Sequence, residues 1–86
     1  MSKGVNPVLR AAIMEIVHNQ LRDNTPPEVK TTLERLLAEG QTREQAEELI
    51  ACVVSSEIVD ILKQGQPYNE TRYLNALRKL PQLPWD

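Results

Sequence analysis

The sequence predicts an all-α fold, a compact bundle of four helices with the third at its centre. Three observations lead there. Apolar residues recur at spacings of three and four in four separate segments. Each segment is bounded by residues that start or stop helices. No segment alternates with period two, so no strand is expected. A chain of 86 residues has room for one domain and a modest core. The expected layout is a flexible N-terminus over 1–5, a single helical domain over 6–80 and an extended tail over 81–86, with helices near 7–22, 26–39, 43–64 and 70–80.

The first helix opens at Asn6-Pro7, where Asn suits the cap and Pro the first helical position. Val8, Leu9, Ala12, Ile13, Ile16, Val17 and Leu21 form its apolar stripe, and Asp23-Asn24 break it. In Thr25-Pro26-Pro27-Glu28 the Thr and the Glu three residues later have the spacing of a reciprocal capping box. Val29, Leu33, Leu36 and Leu37 then mark a second helix, and Gly40 ends it. Thr42-Arg43-Glu44-Gln45 repeats the capping pattern and opens the third helix, which runs to Gln64 with Gly65 behind it. That span is about 33 Å, the longest element. Asn69 is the expected cap of the fourth helix, with Tyr68 and Tyr73 placed to staple its start. Leu74, Ala76, Leu77 and Leu80 supply its apolar face, and Pro81 stops it.

Composition excludes several kinds of function. Ten Lys and Arg against twelve Asp and Glu leave a charge of −2, without the basic excess of nucleic-acid or membrane-surface binders. One Cys and one His exclude an internal disulfide, a cysteine-based zinc site and a multi-histidine metal site, so no metal or cofactor is expected. With no Phe, one Trp and two Tyr, a base-stacking surface is not expected either. No catalytic motif can be assembled. The apolar stretch Ile50–Val54 is far below the roughly 20 residues of a membrane span. A free thiol and no export signal point to the cytoplasm.

The third helix is apolar over more than half its circumference, which places it centrally. Its leftover stripe, Cys52 and Val59, is a candidate contact with a second copy, as is Trp85 in the tail. Glu57 projects between Ile50, Val53 and Ile61, where a carboxylate is costly unless paired. Gln20 follows Leu9, Ile13 and Ile16 onto the apolar face of the first helix and could meet it. Glu57, Gln20 and His18 are therefore the candidate ligand-binding residues, against the plainer reading of Glu57 as a hydrogen-bonded structural contact. Charge is segregated: residues 26–48 carry six Glu against three bases, residues 63–79 four bases against one Glu. Such faces can match between two copies. The expected function is a small non-catalytic protein-interaction or regulatory domain that pairs with itself or with another protein. The alternative is a ligand-binding or enzymatic pocket centred on Glu57.

The helix–Gly–Gln–Thr–helix junction at 36–46 resembles a helix-turn-helix, but its second helix opens with Glu44, Glu47 and Glu48, which repel phosphate. The same stretch resembles the first loop of ubiquitin-associated domains, without apolar residues flanking the loop Gly. A broader resemblance covers about residues 6–81. The order Pro7, Glu15–Leu21, Pro26–Val29, Leu36–Gly40, Val53–Glu57, Gly65–Tyr68 and Arg72-Tyr73 resembles a small bacterial all-helical family that is known only as a domain of unknown function. The resemblance implies an all-α fold and no activity. That family often places His at positions matching Asn6, Arg10 and Met14, a row able to hold a metal. This chain has none of the three, and His18 stands where Glu is usual; Asn19, Gln20 and Glu57 match.

Overall fold

The first helix, α1, spans Pro7–Asp23, followed by α2 (Pro27–Ala38), α3 (Arg43–Gln64) and α4 (Glu70–Lys79). This is a computed structural model, which describes residues 7–85. The expectations for residues 1–5, the Asn6 cap and Asp86 lie outside the described residues. Among those described there is no strand, and every helix lies within one or two residues of its expected bounds.

The helix ends follow from local chemistry, with one exception. Asn24 closes α1 at φ 54°, and the Thr25 N–H donates to the Gln20 carbonyl at 3.2 Å. Gly40 adopts φ 104° after α2, while the Gly40 and Gln41 N–H groups close onto the Leu37 and Leu36 carbonyls. The Thr42–Gln45 box forms in both directions, at 3.0 and 2.9 Å. Gly65 ends α3 in the left-handed region at φ 64°, and the Asn69 Oδ1 accepts the Arg72 N–H at 2.9 Å. The exception is the box expected at Thr25 and Glu28. Pro26 takes the cap position with no side-chain hydrogen bond, because the Thr25 hydroxyl donates backward to the Asp23 carbonyl at 3.0 Å. The tail also departs from expectation. Pro81–Trp85 folds in turns rather than extending, as the Gln82 N–H closes onto the Lys79 carbonyl at 2.8 Å.

α3 packs against all three other helices. Val17, Val29, Leu36, Ala46, Ile50, Val53 and Leu77 are almost completely sequestered. α3 has 22 residues against 17, 12 and 10 in its neighbours, so it outruns them. Arg10 and His18 of α1 reach Glu48 and Glu47 near the start of α3, where Ala46, Ile50, Ala51, Val53 and Val54 are buried. The last turns have less cover. Val59 and Leu62 are exposed there, Leu62 to 77%. Burial of this core is the main stabilising contribution.

Candidate functional site

Glu57 is buried, 7% exposed, as its place on the apolar face requires. Its partner is not Gln20. The Arg72 guanidinium grips it side-on, Nε to Oε1 at 3.0 Å and Nη2 to Oε2 at 2.7 Å. The Asn69 N–H donates to Oε2 at 3.1 Å. The carboxylate therefore ties the middle of α3 to the first turn of α4, where the helix dipole also favours an anion. The Arg72 hydrogen bonds hold its pKa below the ordinary carboxylate value, against burial, which pushes it up. Gln20 instead accepts the Tyr73 hydroxyl at 2.7 Å. Burial pushes the Tyr73 phenol well above its ordinary value. The two residues expected to meet thus belong to neighbouring contacts on the same stretch of α4.

His18 does not join them. Its Nε2 lies 3.1 Å from Glu47 Oε1 on the exposed surface, because its side of α1 faces the start of α3. Cys52 is half-buried in a shallow recess with Leu49, Pro81 and Leu83. Burial, and then Glu48, push its thiol up, the opposite of an activated nucleophile. Val59 is exposed, and Trp85 is 61% exposed.

Two clefts meet at Glu57. One, of about 370 Å³, lies between α3 and α4 and is polar. Ser56, Asp60, Arg72, Asn75, Lys79 and Gln82 line it. The other, of about 200 Å³, lies between α1, α3 and the start of α4. Its walls are Ile16, Val54, Ile58, Ile61, Tyr68 and Tyr73, with Gln20 and Glu57 as its polar groups. The Tyr68 and Tyr73 rings, placed as the staple spacing requires, sit 6.1 Å apart and tilted. Among the described residues, no buried side-chain nitrogen or oxygen lacks a partner. Among the described residues, no group of three His, Cys, Asp or Glu is placed to hold a metal. No described helix is long and apolar enough to cross a membrane.

Sequence reasoning missed two residues. Arg72 was readable only as part of a basic segment and of the broader resemblance, with no role given to it, although its spacing from Asn69 put it at the start of α4. Arg35 carried no signal at all. Its guanidinium crosses from α2 to the far end of α4 and donates to the Leu80 carbonyl at 2.9 Å and the Leu77 carbonyl at 3.1 Å. No protein family, no curated protein and no solved structure matches the chain.

Proposed function

We propose that the chain is a non-catalytic protein-interaction domain, cytoplasmic as its free thiol suggests, that pairs with a second copy of itself. One observation carries this reading: the apolar face along the last turns of α3. Ile58 lies one turn from Leu62 and next to Val59. Ile58 lines one apolar cleft with Ile16 of α1 and Tyr68 of the α3–α4 loop, and Ile16, Val59, Leu62 and Tyr68 are exposed. Apolar patches of this kind mark interaction sites. A second copy is favoured because charges of opposite sign flank the patch. Glu15 adjoins Ile16 and Lys63 adjoins Leu62, neither in an ion pair among the described residues. A two-fold axis through the patch sets one against the other. Sedimentation velocity tests this: the wild type should sediment as a dimer and Leu62→Glu as a folded monomer. A wild type that stays monomeric at high micromolar concentration refutes it.

A second reading rests on the polar cleft of about 370 Å³ beside Glu57, which would take a small polar ligand. Lys79 lines it and has no charged partner among the described residues. Against it stands Glu57 itself, whose oxygens are already engaged by Arg72 and Asn69. Amide shifts at Ser56 and Lys79 during titration with a mixture of small polar metabolites would favour this reading over pairing.

A further inference from the structure

We propose that the segment Pro81–Trp85, beyond α4, is a strap that opens and closes over α3, and that opening joins the two clefts it now separates into one trench. It holds whether or not copies pair. Leu49, Cys52, Val53 and Ser56 recur at spacings of three and four, so they form one stripe along α3, about 10 Å long. The shallow recess, of about 540 Å³, reaches Leu49 and Cys52 at one end of the stripe. The polar cleft, of about 370 Å³, reaches Val53 and Ser56 at the other. Leu83 lines both, so its side chain stands as the partition between them. Pro81 borders the recess, and Gln82 and Pro84 border the cleft.

The strap is held far less firmly than the residue that precedes it. Leu80 is 2% exposed. Its carbonyl accepts the Arg35 guanidinium at 2.9 Å, and its N–H donates to the Leu77 carbonyl at 3.2 Å. Beyond Leu80 the hold is slight. Pro81 and Pro84 have no N–H to donate. The Gln82 N–H donates to the Lys79 carbonyl at 2.8 Å, while the Leu83 and Trp85 N–H groups donate to no group among the described residues. Leu83 is half-buried and packs against the core, but Trp85 is exposed. One leucine side chain and one backbone hydrogen bond are thus set against the entropy of ordering the segment. The closed strap is the stripe's own occupant, supplied by the same chain. Once open, it uncovers the stripe between the clefts and frees the approach to the half-buried Cys52 thiol.

Methyl relaxation dispersion on the wild-type protein tests this, because it reads motions on the microsecond-to-millisecond scale of such openings. The Leu83 and Val53 methyls should exchange at one shared rate while those of Leu80 and Leu36 stay flat. Leu83→Ala should leave the strap open. The Val53 exchange should then vanish with unchanged circular dichroism, and an aromatic disulfide reagent should modify Cys52 at least fivefold faster than in wild type. Trp85→Ala, at an exposed position, should change neither signal. Flat profiles at Leu83 overturn the proposal. So does exchange of Leu80 at the Leu83 rate, since α4 then moves with the segment. A rate that changes with protein concentration also overturns it, because it reports association of copies instead. A folded Leu83→Ala protein whose Cys52 reacts no faster than wild type does the same. The wild-type dispersion decides the matter even where Leu83→Ala proves too unstable to use.

Discussion

The two clefts that meet at Glu57 differ in what they leave unfinished. On the α4 side the chemistry is polar and closed. A carboxylate, a guanidinium and a backbone N–H engage one another within 3.1 Å, and no described buried side-chain polar atom is left over. On the α1 side the two polar groups are equally engaged, but Ile16 and Tyr68 on the apolar walls around them are exposed. The difference teaches what kind of occupant the molecule still lacks. Unmet polar groups call for a ligand with charges or donors, whereas unmet apolar area calls for another apolar surface. α3 leaves that area open because it is longer than the helices around it.

The comparison breaks most visibly if the polar side is opened. Arg72→Met should give the largest loss of stability in urea unfolding, because it leaves Glu57 buried beside an aliphatic chain. Glu57→Ala should lose less, about 2 kcal/mol, since the released Arg72 can reach water while the charge-assisted bonds and some packing disappear. Glu57→Gln, which keeps the shape, should lose about 1 kcal/mol. If Arg72→Met proves milder than Glu57→Ala, the pair is not what holds α3 to α4.

Acid should act on the same contact. The folded pKa of Glu57 lies below its ordinary value. Its contribution is therefore full above the unfolded pKa of about 4.3 and is lost as pH falls through the folded one. Wild-type stability should drop across that acid range, and the drop should be shallower in Glu57→Gln. Equal slopes for the two proteins would place the acid sensitivity elsewhere.

Much of the polar side was legible in the sequence, and its partner was not. Helical spacing alone put Glu57 among Ile50, Val53 and Ile61, and it is buried there. Spacing gives the direction of a side chain around its own helix, not what another helix brings opposite. Gln20 pointed the right way but lies against Tyr73, while Arg72, fifteen residues downstream on α4, reaches the carboxylate first. Arg35 shows the same gap more sharply, since its contact with the end of α4 joins residues 45 apart. The helix ends were readable wherever a single residue decides them, as at Gly40, Thr42, Gly65 and Asn69. They were misread at Thr25, where a backward turn competes for the hydroxyl. The open face was half legible. Val59 was part of the expected leftover stripe, but Leu62, exposed to 77%, was not, because where a neighbouring helix ends along α3 is a property of packing.

Smaller effects sharpen the apolar side. Tyr73→Phe removes only the hydroxyl that donates to Gln20 and should lose about 1 kcal/mol in thermal unfolding. A much larger loss would show that the phenol, not the ring packing, organises the groove. Leu62→Ser should change the stability of the dilute monomer by no more than about 0.5 kcal/mol while weakening pairing. A large loss in the monomer would mean that Leu62 is covered within a single chain.

The central claim is that the unfilled apolar face of α3, rather than the satisfied polar cleft, is where this molecule binds. Isotope-filtered NMR on an equimolar mixture of labelled and unlabelled protein tests it directly. The account predicts intermolecular contacts to the methyl groups of Ile16, Ile58 and Leu62. Intermolecular contacts confined to Ser56, Asn75 and Lys79, or none at concentrations where pairing is complete, would contradict it.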